Sequence, residues 1–131
     1  MSPGELSGYV STGYKINIDQ YCCDGEADEI ICYVDYIPVE KFTELFSHLR
    51  KKVSVNGKLV LHGTDLVEVC NIIMKQKVSQ EQAILQIYGD SASPKRMMLS
   101  LDKLVEVVEN SGMKILKKRL DGLNMCVECC R

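Results

Sequence analysis

The spacing of hydrophobic residues in the first half of the chain predicts alternating strands and helices. Residues 29–34 (EIICYV) form a continuous apolar run, which is typical of a strand covered on both faces. Residues 39–52 have apolar side chains at i, i+3, i+4 and i+7, which predicts one buried stripe on a helix. A turn is predicted at Asn56-Gly57, and residues 58–62 form the next buried strand.

The second half predicts three helices followed by two strands. Residues that commonly cap helix N-termini precede the helices, namely Thr64 or Asp65, Ser79 with Gln82 as a capping box, and Ser100. The expected inward-facing residues are Leu66, Val69, Cys70 and Ile73 on the first helix, and Ala83, Ile84 and Ile87 on the second. Strands at residues 113–120 and 124–129 are joined by a hairpin turn at Asp121-Gly122. With a further strand at residues 14–19, this order predicts a mostly parallel α/β sheet with an antiparallel edge.

Length and charge narrow the class of protein. The chain has 131 residues and a formal net charge of -2, so we expect one domain over residues 1–131, with residues 1–13 as a loose lead-in. This charge gives no general reason to bind nucleic acid or a membrane, and the basic run at residues 114–119 is interpreted as an exposed strand face. The sequence shows neither a membrane-spanning run nor a signal peptide, which favours a cytoplasmic protein with reduced cysteines.

Four segments, taken together, resemble class I S-adenosylmethionine-dependent methyltransferases. Residues 13–19 (GYKINID) are similar to the family's second strand, and residues 28–38 (DEIICYVDYIP) to the segment around its fourth strand. Residues 42–61 resemble the next helix, turn and fifth strand, and residues 100–115 resemble a later helix and the sixth strand. The resemblance implies a Rossmann-like three-layer α/β sandwich, here with a shortened sheet and an antiparallel C-terminal hairpin strand.

The glycine-rich loop that holds the family's cofactor has no counterpart before the second strand. Such a loop brings backbone amides close to the cofactor, whereas residues 1–8 read MSPGELSG. The connection at residues 20–27 (QYCCDGEA) is also short. We therefore expect a degenerate methyltransferase-like domain that is not an enzyme, holds no cofactor and acts as a binding or oligomerisation module. The alternative is a minimal S-adenosylmethionine-dependent methyltransferase whose site is completed across a dimer.

Three residues are candidates for a cofactor pocket. The resemblance implies that Asp19 corresponds to the acid that binds the ribose hydroxyls, with an exposed turn residue as the alternative. Asp35 and His62 follow buried strands, at the sheet edge where α/β folds bind ligands. Together with Asp65 they could form an acid/base cluster, and a packed or surface histidine is the alternative for His62. The other histidine, His48, is expected on the solvent side of its helix.

A shortened sheet would expose an apolar edge, and proteins commonly cover such edges. We therefore expect a homo-oligomer, most simply a dimer, or a complex with another protein. Neither nucleic acid nor a membrane is expected as a partner.

The cysteines suggest a third hypothesis. Cys126 and Cys129 have C-x-x-C spacing next to Cys130, and Cys22-Cys23 could complete a zinc site. Strand alternation would place Cys126 and Cys129 on opposite faces, so buried free thiols and no metal are the favoured interpretation. A thioredoxin-like role would need a helix N-terminus to lower the thiol pKa, and none is predicted here.

Overall fold

Four strands and four helices make up the part of the chain that a computed structural model describes, residues 24–92 and 94–131. In chain order they are β1 (Ala27–Tyr33), α1 (Val39–Lys52), β2 (Val53–Thr64), α2 (Leu66–Met74), α3 (Gln80–Tyr88), α4 (Leu101–Asn110), β3 (Lys114–Asp121) and β4 (Asn124–Cys130). A short 3₁₀ helix, Val34–Tyr36, links β1 to α1. The strand expected at residues 14–19 lies outside the described residues.

The described sheet has the strand order β1-β2-β4-β3. β1 and β2 are parallel, whereas β4 runs antiparallel to both β2 and β3. The predicted α/β class with an antiparallel C-terminal strand is therefore confirmed. The reversed strand, however, lies between β2 and β3 rather than at the edge. The predicted hairpin is present, and Gly122 adopts a φ of 62° in the two-residue connection that returns β4 beside β3.

The helix boundaries agree with the predicted caps. The side chain of Asp65, rather than that of Thr64, accepts the capping hydrogen bond of α2. Ser79 and Gln82 form both bonds of the capping box of α3, and Ser100 caps α4. These short-range bonds satisfy backbone N–H groups that have no partner within the helix.

One face of the sheet carries the hydrophobic core. Side chains of β1, β2 and β4 pack there against α1 and α4. The participating residues include Cys32, Leu59, Leu61, Val127 and Cys129 from the strands, Phe42, Phe46 and Leu49 from α1, and Leu104 and Val108 from α4. Because side chains alternate along a strand, Tyr33, His62 and Glu128 lie on the opposite face, where they are half-buried.

The turn predicted at Asn56-Gly57 is wrong, because both residues lie inside β2 rather than before it. The register between β1 and β2 shifts here, with extra residues on the β2 side. A Cβ atom at Gly57 would lie 2.7 Å from the backbone oxygen of Asp28. The glycine is therefore required by the close approach of two strands, a role that a turn signal in the sequence does not distinguish.

The expected burial of α3 is wrong, and that of α2 holds only for Val69, since Leu66, Cys70 and Ile73 are exposed. Ile84 and Ile87 are 46% and 43% exposed, Ala83 is only half-buried, and no residue of α3 is buried. The capping box formed as predicted because it depends on residues within one turn. Burial of the apolar stripe depends instead on a packing partner, which the described residues do not provide.

Candidate functional site

A pocket of about 380 Å³ opens at the carboxyl ends of β1 and β2. Its walls come from the ends of these strands, the start of β4, helix α3 and the loop before α4. The lining residues are Tyr33, Asp35, Tyr36, His62, Gly63, Thr64, Gln86, Lys95, Asn124 and Met125. The volume falls within the range of roughly 300–1,000 Å³ found for small-molecule sites. The position is the one at which open α/β sheets bind ligands.

Asp35 is 5% exposed and joins the ends of β1 and β2. Its carboxylate accepts hydrogen bonds from the backbone N–H of Thr64, at 3.1 and 3.0 Å, and from the Thr64 hydroxyl at 2.6 Å. The backbone carbonyl of Asp35 accepts from the N–H groups of Arg96 and Met97. Asp35 therefore also fixes the loop that leads to α4.

Lys95 provides the opposite charge in this network. Its Nζ lies 3.7 Å from the Asp35 carboxylate and donates hydrogen bonds of 3.0 Å to the Thr64 hydroxyl and to the backbone oxygen of Gln86. The Lys95 side chain is only 12% exposed. Asp35, Thr64 and Lys95 thus form a partly enclosed ion-pair network, named here the Asp35–Lys95 network.

His62 lies on the β2 wall of the same pocket and stacks on Tyr33, with ring centroids 5.3 Å apart. Partial burial lowers the pKa of His62, and the positive charge of Arg119 lowers it further, against a weaker opposite effect of Glu128. The imidazole is consequently neutral at pH 7 and can accept a proton.

Tyr36 gives the pocket a second phenol group. Partial burial and the nearby charge of Asp35 raise the pKa of Tyr36, so its hydroxyl stays protonated and can donate a hydrogen bond. The hydrogen-bonding side chains of the described lining are therefore uncharged, except for Asp35 and Lys95, which pair with each other.

The lowered pKa of His62 predicts how stability depends on pH. The unfolded chain, with a histidine pKa near 6.5, takes up a proton before the folded chain does as the pH falls. The stabilising contribution of neutral His62 is therefore fully present above about pH 6.5 and declines as the pH falls through the lower folded-state pKa. Urea unfolding between about pH 7 and pH 5.5 should show this decline in the wild type and a weaker decline in His62→Gln.

The second histidine provides the control for that measurement. His48 is exposed on α1, as predicted, so His48→Gln should retain the full decline. An identical pH dependence in the wild type and His62→Gln would contradict the assignment.

The predicted site residues are brought together in part. Asp35 and His62 line the same pocket, while their role in cofactor binding stays a prediction. Asp19 lies outside the described residues. Asp65 does not line the pocket, since its carboxylate accepts hydrogen bonds from the backbone N–H groups of Glu68 and Leu101. The proposed acid/base cluster therefore does not include Asp65, which caps α2 and holds the start of α4.

Sequence reasoning missed Lys95 and Asn124 as pocket residues. Lys95 lies in a loop, and its approach to Asp35 depends on how the chain returns across the sheet. Asn124 could have been found, because it begins the strand that follows the predicted hairpin turn.

The C-terminal cysteines behave as separate thiols in the described structure. Cys129 faces the core, donates a hydrogen bond from its Sγ to the backbone oxygen of Leu59, and has a pKa raised by burial to about 12. Cys126 pairs with His62 on the opposite face of the sheet, as strand alternation predicts. The described residues contain no group of three or more metal-binding side chains. Cys22 and Cys23, the other half of the zinc hypothesis, lie outside the described residues.

Comparison with solved structures identifies the fold. DhpI, in a complex described as DhpI–SAM–HEP, superposes with a TM-score of 0.58 at 12% sequence identity, covering 88% of this chain and 56% of that one. The glycopeptide N-methyltransferase MtfA, complexed with S-adenosyl-L-methionine, gives a TM-score of 0.54 at 10% identity, covering 86% and 57%. An O-methyltransferase family protein from Burkholderia thailandensis gives 0.56 at 14% identity, covering 82% and 31%.

These similarities establish an α/β fold of the S-adenosylmethionine-dependent methyltransferase type, as the sequence predicted. The chain spans little more than half of DhpI and MtfA, and about a third of the Burkholderia protein. No protein-family model matches the sequence, and no curated protein is detectably similar to it. No helix among the described residues is long and apolar enough to cross a bilayer. Activity must be argued from the site, because one fold supports many functions.

Proposed function

We propose that this chain is a methyltransferase-like domain that works as a binding and self-association module and does not transfer methyl groups. The observation that carries this proposal is that the Asp35 carboxylate is already bonded within the protein. Its carboxylate is the single acidic group among the described pocket-lining residues, and it is occupied by Thr64 and Lys95.

The chemistry of S-adenosylmethionine explains why this matters. The cofactor carries a positive sulfonium group and a ribose with two hydroxyls, which favour a free carboxylate nearby. Asp35 already offsets the charge of the Lys95 ammonium group and accepts hydrogen bonds from Thr64, so a sulfonium there would bring a second positive charge to one carboxylate in a partly enclosed site. This competition for one carboxylate argues against cofactor binding by the described lining residues.

One observation favours the alternative of a minimal methyltransferase completed across a dimer. The neutral imidazole of His62 lies on the pocket wall and could accept a proton from a methyl acceptor. In that reading Asp19 would supply the acid that Asp35 does not provide.

Calorimetric titration of the reduced protein with S-adenosylmethionine and S-adenosylhomocysteine tests the proposal. We expect no saturable heat at ligand concentrations up to about 1 mM, the range of weak binding. Saturable binding in the micromolar range would overturn the proposal and favour the methyltransferase.

Two variants would then locate such binding. His62→Gln should weaken it if the ligand occupies the described pocket, whereas His48→Gln should leave it unchanged. A methyl-acceptor screen would follow only in that case.

A further inference from the structure

An uncovered apolar surface lies on α2 and α3. Among the described residues, eight of the twelve exposed large hydrophobic side chains belong to these two helices. They are Leu66, Val67, Ile73, Met74, Ile84, Leu85, Ile87 and Tyr88. The two helices contact each other, and these eight side chains are together called here the α2–α3 surface. Such a concentration is unusual, because soluble domains normally scatter their exposed apolar residues singly.

Helical spacing shows that the exposure is organised. On α2, Leu66, Cys70 and Met74 follow one another at intervals of four and are all exposed, while Val69 is the buried residue of the helix. On α3, Ile84 and Tyr88 are also four residues apart, and α3 has no buried residue. Each helix therefore exposes an apolar stripe to solvent. Stripes of this kind normally pack against a partner.

The size of the surface matches an interface between proteins. The eight side chains are between 37% and 81% exposed. Most of the eight are aliphatic, so at roughly 150 Å² for a fully exposed side chain, the lower end of the aromatic range, they present on the order of 600 Å² to solvent. That is about three quarters of the roughly 800 Å² that each partner loses in an interface of standard size, whose polar rim supplies further area.

The charges around the surface favour a second copy of the chain as the occupant. Within α2 and α3 the charged residues are Glu68 and Glu81, each in the first turn of its helix, and the connection between the helices carries the exposed Lys75 and Lys77. The helix turns that carry the stripes are otherwise uncharged, so a twofold arrangement can place the stripe against itself without opposing like charges. A membrane-binding helix would instead carry Lys and Arg along its polar face, and neither α2 nor α3 contains one.

We propose that the α2–α3 surface is the site at which two copies of this chain associate. The inference deepens the self-association part of the proposed function and rests on it. It replaces pairing of sheet edges with pairing of helices as the expected contact.

Sedimentation equilibrium in reducing buffer, with the Cys70→Ser variant as background to prevent cross-linking, tests the proposal. We expect a dimer at about 10 μM. The double variant Met74→Lys with Tyr88→Lys should have a dissociation constant at least about tenfold larger. These two residues are 81% and 66% exposed, so the substitutions remove little internal packing.

The matched control is Val55→Lys with Leu116→Lys, which makes the same charge change at exposed apolar residues on β2 and β3. This control should dimerise like the parent protein. The proposal fails if the parent is monomeric at about 100 μM, whether or not it then sediments with anionic lipid vesicles. It also fails if both double variants dimerise equally well. These outcomes are independent of the cofactor titration, because binding of S-adenosylmethionine would overturn the non-catalytic role and leave the dimer intact.

Discussion

Replacing Asp35 with Asn should lower the free energy of unfolding by about 3 kcal/mol, a typical cost of breaking a buried ion pair from one side. The carboxylate accepts hydrogen bonds from both the backbone N–H and the hydroxyl of Thr64 and lies 3.7 Å from the Lys95 ammonium group. An amide at this position would lose the negative charge and would direct N–H groups toward groups that donate. Urea unfolding at pH 7, followed by circular dichroism, measures the change.

Lys95→Met and the double variant complete this experiment. We expect Asp35→Asn with Lys95→Met to be less destabilised than the sum of the two single variants, because removing both charges leaves neither one uncompensated. A stability within about 0.5 kcal/mol of the wild type for Asp35→Asn would contradict a structural role. Asp35 would then again be a candidate ligand-binding residue.

Replacing Asp65 with Ala should cost about 3 kcal/mol, because one buried side chain serves two helices. Its Oδ2 accepts from the N–H of Glu68 at 2.9 Å, which caps α2, and its Oδ1 accepts from the N–H of Leu101 at 2.6 Å, at the start of α4. Asp65 is 3% exposed, so water cannot readily replace the lost acceptor. Thermal and urea unfolding should both report the loss.

Single caps elsewhere in the chain provide the comparison. Ser100 and Ser79 each accept one exposed hydrogen bond at a helix N-terminus. Their replacement with Ala should cost about 1 kcal/mol each, a common value for one cap. An equal loss for Asp65→Ala and Ser79→Ala would show that the bond to α4 contributes nothing measurable.

Both expectations assign the acidic residues near the pocket to structure rather than to catalysis. The sequence placed Asp35, His62 and Asp65 in one candidate cluster because all three follow strands at the carboxyl edge. Position alone does not reveal whether a carboxylate is free. That depends on the donors that the rest of the chain brings to it, and here the partners are Thr64 and Lys95 for Asp35, and two helix ends for Asp65.

The sequence by itself determined the features that depend on neighbouring residues. The limits of α1, the caps at Ser79 and Ser100, and the final hairpin all follow from side-chain spacing and turn chemistry within a few positions. The order of these elements also predicted an α/β sheet with a C-terminal hairpin, because a strand–helix–strand unit followed by a hairpin leaves few ways of building one sheet. The methyltransferase type of the fold was implied by the resemblance of four segments to that family.

The tertiary structure alone decided what each surface contacts. Thr64 meets Asp35 and Lys95 across 29 and 31 positions of the sequence, a distance that no local pattern specifies. The apolar stripe of α3 has the same spacing whether it is buried or exposed, so periodicity predicted the helix and could not predict its exposure. Whether a residue is buried or ion-paired depends on which distant segments pack against it, and only the complete fold determines those contacts.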